Sequence, residues 1–201
     1  MKALLIALLV VAGGIAGGYA VRSAPYDVVW EGGTDLDMFH KIQADLATGR
    51  HLRVQLLSPG GPAVLCLEMA RMIRNASDRG QRVEIHGQAL VASCGTFILA
   101  AGTPGHRYIT RTTLFLVHPL QRGGWGDSCV ARPTVKRRDE SLRLVSEEDK
   151  IIDSLYYLME ASYVRLTGKD HATVSRWVVC GNETTGAEQA VAMGIADHVE
   201  D

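Results

Sequence analysis

The sequence predicts an α/β protein, because short apolar runs that end in glycine turns alternate with longer segments of helical period. The clearest run, residues 52–57, is followed by Ser58-Pro-Gly-Gly61, and Pro62 suits the first turn of a helix, where no N–H donor is needed. Strands that alternate with helices favour parallel pairing with right-handed crossovers. The 201 residues, 47% of them hydrophobic, suffice for one domain with an ordinary core and an appendage.

The elements follow one another in a regular order. We expect strands at 28–30, 52–57, 83–85, 108–109, 114–117 and 195–199, helices at 35–48, 62–78, 96–101, 139–166 and 186–193, and a loop at 123–133. In the long helix Val145, Ile152, Met159 and Leu166 recur every seven residues, with Leu155 between them. This repeat predicts a continuous apolar seam, which packs either on the core or on another subunit.

The N-terminal segment differs from the rest of the chain. Residues 3–21 carry no charge and are long enough to span a bilayer, which takes about 20 apolar residues. Small residues up to Ala20 also permit cleavage, so residues 1–21 are predicted to be a transmembrane anchor or a signal peptide. Lys2 on the short side predicts that the domain of residues 22–201 lies outside the cytoplasm, periplasmic or extracellular, or is secreted if the leader is cleaved.

Charge and cysteine content exclude some functions. The net charge of −1 gives no indication of nucleic-acid binding. The four cysteines allow up to two disulfides: Cys129, in a polar loop, and Cys180, near a strand end, are predicted to pair, and Cys66 and Cys94, in apolar settings, are predicted to be buried thiols. No spacing of cysteines and histidines predicts a metal, and no motif predicts a cofactor.

Three segments carry residues that could do chemistry. After the turn at Ser58-Pro-Gly-Gly61 the amides of Gly60 and Gly61 are predicted to be free at the start of a helix, where they suit an oxyanion. Ser93 lies at a junction from strand to helix among small residues, and His118 ends a strand. Alone they can be explained as a tight turn, a helix cap and a core histidine. Together, in this order, they predict a serine hydrolase.

The same segments resemble the ClpP-like serine peptidases, which belong to the wider ClpP/crotonase fold. The separation of Ser93 and His118, 25 residues, agrees with that family. The resemblance implies a spiral of βαβ units with a long handle helix at 139–166, peptide or unfolded protein substrates, and a homo-oligomer. The similar segments are Trp30-Glu-Gly-Gly33, Leu56-Leu-Ser-Pro-Gly-Gly61, Ala92-Ser-Cys-Gly95, Leu116-Val-His-Pro119 and Gly194-Ile-Ala-Asp197.

The resemblance also implies roles for individual residues. Ser93 would attack the peptide carbonyl, and His118 would take its proton and return it to the leaving amine. The N–H groups of Gly61 and Cys94 would hold the oxyanion. Between Gly87 and Ser93 the chain has two residues more than the family's usual spacing, which predicts an altered oxyanion geometry. A domain outside the cytoplasm has no ATP, so the peptidase is predicted to work without an ATP-driven partner.

One part of the family's pattern is missing. No aspartate lies in residues 175–182, where the family has its third catalytic residue. Asp170 comes too early, in the first turn of its helix, and Asp197 belongs to the closing segment. Asn182, Glu183 or no residue could therefore orient His118, and Lys136 is an alternative base.

Two other functions are weighed against the peptidase. A catalytically inactive ClpP-like domain could serve as an oligomeric scaffold or binding module. A crotonase-type acyl-CoA enzyme shares the fold but would leave Ser93 and His118 without a role.

Overall fold

The computed structural model describes residues 26–121, 130, 147–178 and 184–201. The strands of these parts are β1 (Val28–Glu31), β2 (Leu52–Ser58), β3 (Val83–Ala92), β4 (Arg107–Thr110), β5 (Leu114–Val117), β6 (Thr184–Thr185) and β7 (His198–Glu200). The helices are α1 (Leu36–Ala47), α2 (Ala63–Asp78), α3 (Gly95–Ala101), α4 (Glu147–Thr167), α5 (His171–Trp177) and α6 (Ala187–Ala192).

The strands form one mainly parallel sheet, which confirms the predicted α/β class. Strands β1, β2, β3, β4 and β7 lie side by side in that order and are all parallel. Strand β5 also pairs in parallel with β3, and β6 runs antiparallel to β5. Helices α1 and α2 each connect two neighbouring parallel strands, as expected for βαβ units.

The core lies between this sheet and the helices that pack on it. Strand β2 turns alternate residues inward, so Leu52, Val54 and Leu56 are buried while the residues between them are partly exposed. Helix α2 meets the same core through Met69 and Ile73, which have no exposed surface. The strand order therefore places the carboxyl ends of β2 and β3, with the turns that follow them, beside each other.

Strand β3 is longer than the predicted strand at 83–85, and the extra length matters for the site. From Leu56 to Ser58 strand β2 advances two residues, while the partner positions on β3 advance four, from Gly87 to Val91. A bulge at this point, with Ala89 at φ 58°, absorbs the two additional residues before Ser93. Strand β3 pairs with β4 as far as Gly87 and with β5 afterwards. Because Gly87 weakens the local strand pattern, the sequence did not show that the strand continues to Ala92.

A largely buried ion pair joins Arg107, at the start of β4, to Asp197, just before β7. Arg107, which is 6% exposed, donates to Asp197 from Nε at 2.8 Å and from Nη2. Its Nη1 donates to the carbonyl oxygens of Ala100, Leu166 and Gly194 at 2.9–3.3 Å. Strand β7 therefore begins only at His198 and not at 195 as predicted, since Asp197 is held by this arginine.

The long helix α4 is described from Glu147, so residues 139–146, including Val145, lie outside the described part. Of the predicted seam, Met159 and Leu166 are buried, whereas Ile152 and Leu155 are only partly buried. Tyr156 and Tyr163, which were not predicted, are each 2% exposed. Helix α5 then begins after Asp170, whose carboxylate caps it by accepting from the Thr173 N–H at 2.9 Å. Asp170 therefore serves as a helix cap.

The prediction for Cys66 and Cys94 is wrong, because the two residues form a disulfide. Both are buried, but the first turn of α2 lies directly against the turn that follows β3, so an apolar setting does not keep the sulfurs apart. Cys129 and Cys180 lie outside the described residues.

The predicted membrane or signal segment, residues 3–21, also lies outside the described residues. Within the described part, no helix is both long enough and apolar enough to cross a membrane.

Candidate active site

Ser93 occupies a sharp turn between β3 and α3. Its φ of 53° falls in the left-handed region, which residues other than glycine rarely adopt. The Ser93 N–H donates to the carbonyl of Leu116 on β5 at 2.8 Å, and its side chain is partly exposed. A serine in a strained turn from strand to helix is typical of a hydrolase nucleophile, because the turn presents Oγ to a substrate.

A buried network supports this turn from below. The hydroxyl of Thr96 donates to the Ser93 carbonyl at 2.5 Å and accepts from the Tyr163 hydroxyl at 2.7 Å. The Tyr163 ring stacks on Phe97 at 4.1 Å between centroids. Burial raises the pKa of Tyr163 despite the hydrogen bond to Thr96, so the phenol stays a neutral donor. The contact of Thr96 with Tyr163 is not predicted from the sequence, because the two residues are 67 positions apart and carry no local signal of it.

The glycine turn lies directly against Ser93. Gly60 has φ 92°, and a Cβ added there would lie 2.6 Å from Ser93 Cβ and 2.9 Å from the Cys94 nitrogen. The Gly60 N–H donates to Ser58 Oγ at 3.2 Å, and that hydroxyl donates to the Gly32 carbonyl at 2.8 Å. The prediction that the Gly60 amide is free is therefore wrong, because the Ser58 side chain folds back to accept from it.

Two other amides beside Ser93 remain available. The N–H groups of Gly61 and Cys94 donate to no residue in the described parts of the chain. Thr34 holds the glycine turn from behind, since its N–H donates to the Gly60 carbonyl at 3.0 Å and its Oγ1 lies 2.5 Å from where a Gly61 Cβ would be. These are the two N–H groups that the sequence analysis assigned to the oxyanion.

His118 follows β5 and is half-buried. Its Nδ1 lies 2.6 Å from the Pro119 carbonyl oxygen. Because a carbonyl can only accept, we assign the ring proton to Nδ1, which leaves the Nε2 lone pair free in the neutral ring. In the described parts of the chain, His118 hydrogen-bonds neither Ser93 nor a carboxylate. Asn182, Glu183 and Lys136 lie outside the described residues.

All four predicted site residues border one cavity of about 500 Å³. Apart from Gln121, the other lining residues are apolar or aromatic, or belong to the glycine turn. The volume is within the usual range of ligand sites, about 300–1,000 Å³. The lining comprises Pro59, Gly60, Gly61, Pro62, Ala63, Ser93, Cys94, Phe97, His118, Pro119, Leu120, Gln121, Leu155, Met159 and Tyr163.

The sequence of this chain is similar to those of known proteins. Residues 43–201 match a family model described as Clp protease. The chain is 28% identical over 194 residues to the ATP-dependent Clp protease proteolytic subunit 1 of Mycolicibacterium paratuberculosis, a match that covers 89% of this chain and 83% of that protein.

Solved structures show the same fold at lower identity. One is a mutant of ClpP1 from Listeria monocytogenes, with a TM-score of 0.62 and 16% identity over 87% of this chain and 90% of that one. Another is the ClpP protease catalytic domain from Plasmodium falciparum, with a TM-score of 0.63 and 17% identity over 87% and 85% of the two chains.

Proposed function

Because the chain belongs to the Clp protease family, whose members are serine peptidases, we propose that it hydrolyses peptide bonds through an acyl-enzyme on Ser93. One observation carries the proposal: Ser93, in its left-handed turn, shares a cavity with His118 and with the amides of Gly61 and Cys94, which donate to none of the described residues. A nucleophile, a base and two oxyanion donors are the parts that acyl transfer needs.

In the proposed reaction Ser93 Oγ attacks the peptide carbonyl, and His118 Nε2 takes the hydroxyl proton. The Nδ1–H remains on the Pro119 carbonyl, which holds the ring in this tautomer. The developing oxyanion accepts from the amides of Gly61 and Cys94, each worth about 3–4 kcal/mol in related chemistry. His118 then protonates the leaving amine, and water hydrolyses the acyl-enzyme by the reverse proton transfers.

An active-site probe tests this proposal. We expect a fluorophosphonate to label the chain stoichiometrically at Ser93, and we expect Ser93→Ala to lose both labelling and peptide hydrolysis. Ser154→Ala is the control, because Ser154 is exposed on α4 and donates to the Lys150 carbonyl of its own helix. Intact mass spectrometry and a fluorogenic peptide measure the two effects. Absence of labelling and hydrolysis across the accessible pH range would contradict the proposal.

A second candidate function is an inactive oligomeric scaffold or binding module. It is favoured by the lack of a hydrogen bond between Ser93 and His118 and, among the residues that the structure describes, by a backbone carbonyl on His118 where a triad has a carboxylate. In a Ser-His-Asp triad, loss of the carboxylate that orients the histidine lowers kcat about 10⁴-fold. An unlabelled protein that retains its fold and its assembly would support this second function.

The cavity also indicates which substrates fit. Phe97, Leu155 and Met159 offer apolar surface near Ser93. Burying a large apolar side chain contributes about 1.5–3 kcal/mol, which corresponds to about 10- to 100-fold in kcat/KM. We therefore propose that the residue before the cleaved bond is a large apolar one.

Peptides that differ only at that residue measure the preference. We expect kcat/KM for a leucyl peptide to exceed that for an aspartyl peptide by at least about tenfold. Leu155→Asp should reduce the leucyl advantage, because it places a charge in the cavity lining. Ser154→Asp adds the same charge at the neighbouring exposed position, outside the residues that border the cavity, and should not. An equal effect of the two substitutions would contradict this assignment of the cavity.

We further propose that the chain works as a homo-oligomer. Exposed apolar residues on α4 support this, since Ile151, Tyr157 and Leu158 are 60%, 61% and 48% exposed. A second copy would cover these side chains. A solution mass above that of one chain, 21.8 kDa, is the expected measurement.

We also propose that the chain is attached to a membrane or exported. This proposal is supported by the uncharged stretch at residues 3–21. Two further proposals depend on it: that the domain lies outside the cytoplasm, and that it works without ATP. Fusion of a topology reporter to the C-terminus tests the orientation, and activity on peptides without ATP tests the independence.

A further inference from the structure

The disulfide connects the two segments that carry the proposed oxyanion donors. Cys66 lies in the first turn of α2, directly after the glycine turn that ends in Gly61. Cys94 immediately follows Ser93 and supplies the second amide. The bond between Cys66 and Cys94 therefore sets how the Gly61 segment lies against the nucleophile turn.

The surroundings of this bond leave little room for movement. A Cβ added to Gly95 would lie 3.0 Å from the Ser58 carbonyl oxygen, and one added to Gly60 would lie 2.6 Å from Ser93 Cβ. Behind the sulfur of Cys66, the Thr34 hydroxyl lies at 3.0 Å. Two thiols need more room than the disulfide that they replace, and these close contacts leave little. Reduction would remove the covalent link between the segments that carry Gly61 and Cys94 and so allow one of them to move.

The bond can be reached from the catalytic cavity. Cys94 lines that cavity and is 5% exposed, whereas Cys66 has no exposed surface. Of the two bonded cysteines only Cys94 borders this cavity, so a small thiol that enters it approaches the disulfide from the side of Cys94. A molecule that occupies the cavity would block the same route.

We propose that the Cys66–Cys94 disulfide positions the Cys94 amide for catalysis and that a dithiol reductant, entering through the substrate cavity, switches the peptidase to a low-kcat form. This inference rests on the proposed peptidase function. A reductant thiolate attacks Cys94 Sγ, the sulfur–sulfur bond breaks, and Cys66 leaves as a thiolate and takes a proton. The second thiol of the reductant then displaces Cys94 and closes its own disulfide. Two electrons and two protons pass from the reductant to the two cysteines.

The first experiment reduces the full chain with dithiothreitol and follows its kinetics. We expect kcat to fall by about 10²-fold with KM changed less than about twofold, because the displaced amide acts mainly on the transition state. Peptide mapping verifies the Cys66–Cys94 link before reduction, its loss afterwards, and its return together with kcat on reoxidation. The variant Cys129→Ser/Cys180→Ser is the control and should respond like the unaltered chain.

The second experiment measures the route of reduction independently of turnover. We expect a bulky fluorophosphonate on Ser93 to slow alkylation of Cys66 and Cys94 after dithiothreitol is added, because it fills the cavity. Cys66→Ser should have a low kcat that no longer responds to dithiothreitol. If that variant does not fold, reduction and reoxidation of the unaltered chain test the same point.

The outcomes separate this inference from the function on which it depends. Equal kcat before and after verified reduction, or free thiols at Cys66 and Cys94 in the oxidised protein, would contradict the inference and leave the peptidase standing. Reduction at the same rate in labelled and unlabelled protein would contradict the proposed route. Absence of labelling and hydrolysis in every redox state would contradict the peptidase itself, and the inference with it.

Discussion

Gly60→Ala is expected to lower kcat by at least about 10²-fold and to destabilise the fold. The added methyl would lie 2.6 Å from Ser93 Cβ and 2.9 Å from both the Ala92 carbonyl oxygen and the Cys94 nitrogen. Two of these three neighbours are backbone atoms, so the methyl cannot be accommodated by a change of rotamer. Ser93 and the Cys94 amide, the proposed nucleophile and oxyanion donor, must therefore shift, and a misplacement of about 1 Å can cost about 10²-fold in rate.

Gly80→Ala is the matched control for this substitution. Gly80 has φ 90°, close to the 92° of Gly60, but a Cβ there meets nothing within 4 Å. It therefore carries the same backbone strain, about 1–2 kcal/mol, at a position that does not border the cavity beside Ser93. Peptide kinetics should show a loss of kcat only for Gly60→Ala. Urea denaturation measures the free energy of unfolding of both variants. Unaltered kcat in Gly60→Ala, or equal losses in the two variants, would contradict the close contact.

Arg107→Met is expected to lower the free energy of unfolding by about 3–5 kcal/mol, because it removes one partner of a buried ion pair. The substitution leaves the carboxylate of Asp197 without its guanidinium. It also removes the donor to the three carbonyl oxygens at the ends of α3, α4 and α6. Arg111→Met is the control, since Arg111 pairs with Glu188 and Asp201 at an exposed surface, where loss of a pair costs less than about 1 kcal/mol.

The pH dependence of this loss gives a further check. Burial acts to raise the pKa of Asp197. The guanidinium of Arg107 and the amides of Arg107 and Gly105 lower this pKa by a larger amount, so the folded pKa lies below the ordinary value. Stability from this carboxylate is therefore fully present above the unfolded pKa of about 3.9 and is lost as the pH falls through the folded pKa. Urea denaturation should show that the difference in free energy of unfolding between Arg107→Met and the unaltered chain becomes smaller in acid. A difference that stays constant or grows there would contradict the pairing.

Much of the fold could be predicted because its signals are local. Strand β5 was predicted at the residues where it lies, and α2 ends at Asp78 as expected, because apolar runs and glycine turns mark both elements. Strand β3 was predicted too short because Gly87 interrupts the apolar pattern, although pairing with two partner strands holds the whole segment in the sheet.

The candidate site was predicted in part for the same reason. Ser93, His118 and Gly61 each follow a strand end, so the sequence marks them, and the structure places all three at one cavity. The support of Ser93 by Tyr163 and the disulfide depend on how distant segments pack, which no local pattern encodes. The Pro119 carbonyl is adjacent to His118 in the chain, but the orientation of the His118 ring towards it has no sequence signal.

The hydrogen bond from the Ser93 N–H to the Leu116 carbonyl has a consequence for how such chains can vary. Since β3 and β5 are neighbours in register, the relative placement of Ser93 and His118 is set by the sheet and not by the connection between them. The separation of 25 residues then reflects the size of α3, β4 and their loops. Evolution or design could lengthen that connection and leave Ser93 and His118 where they are.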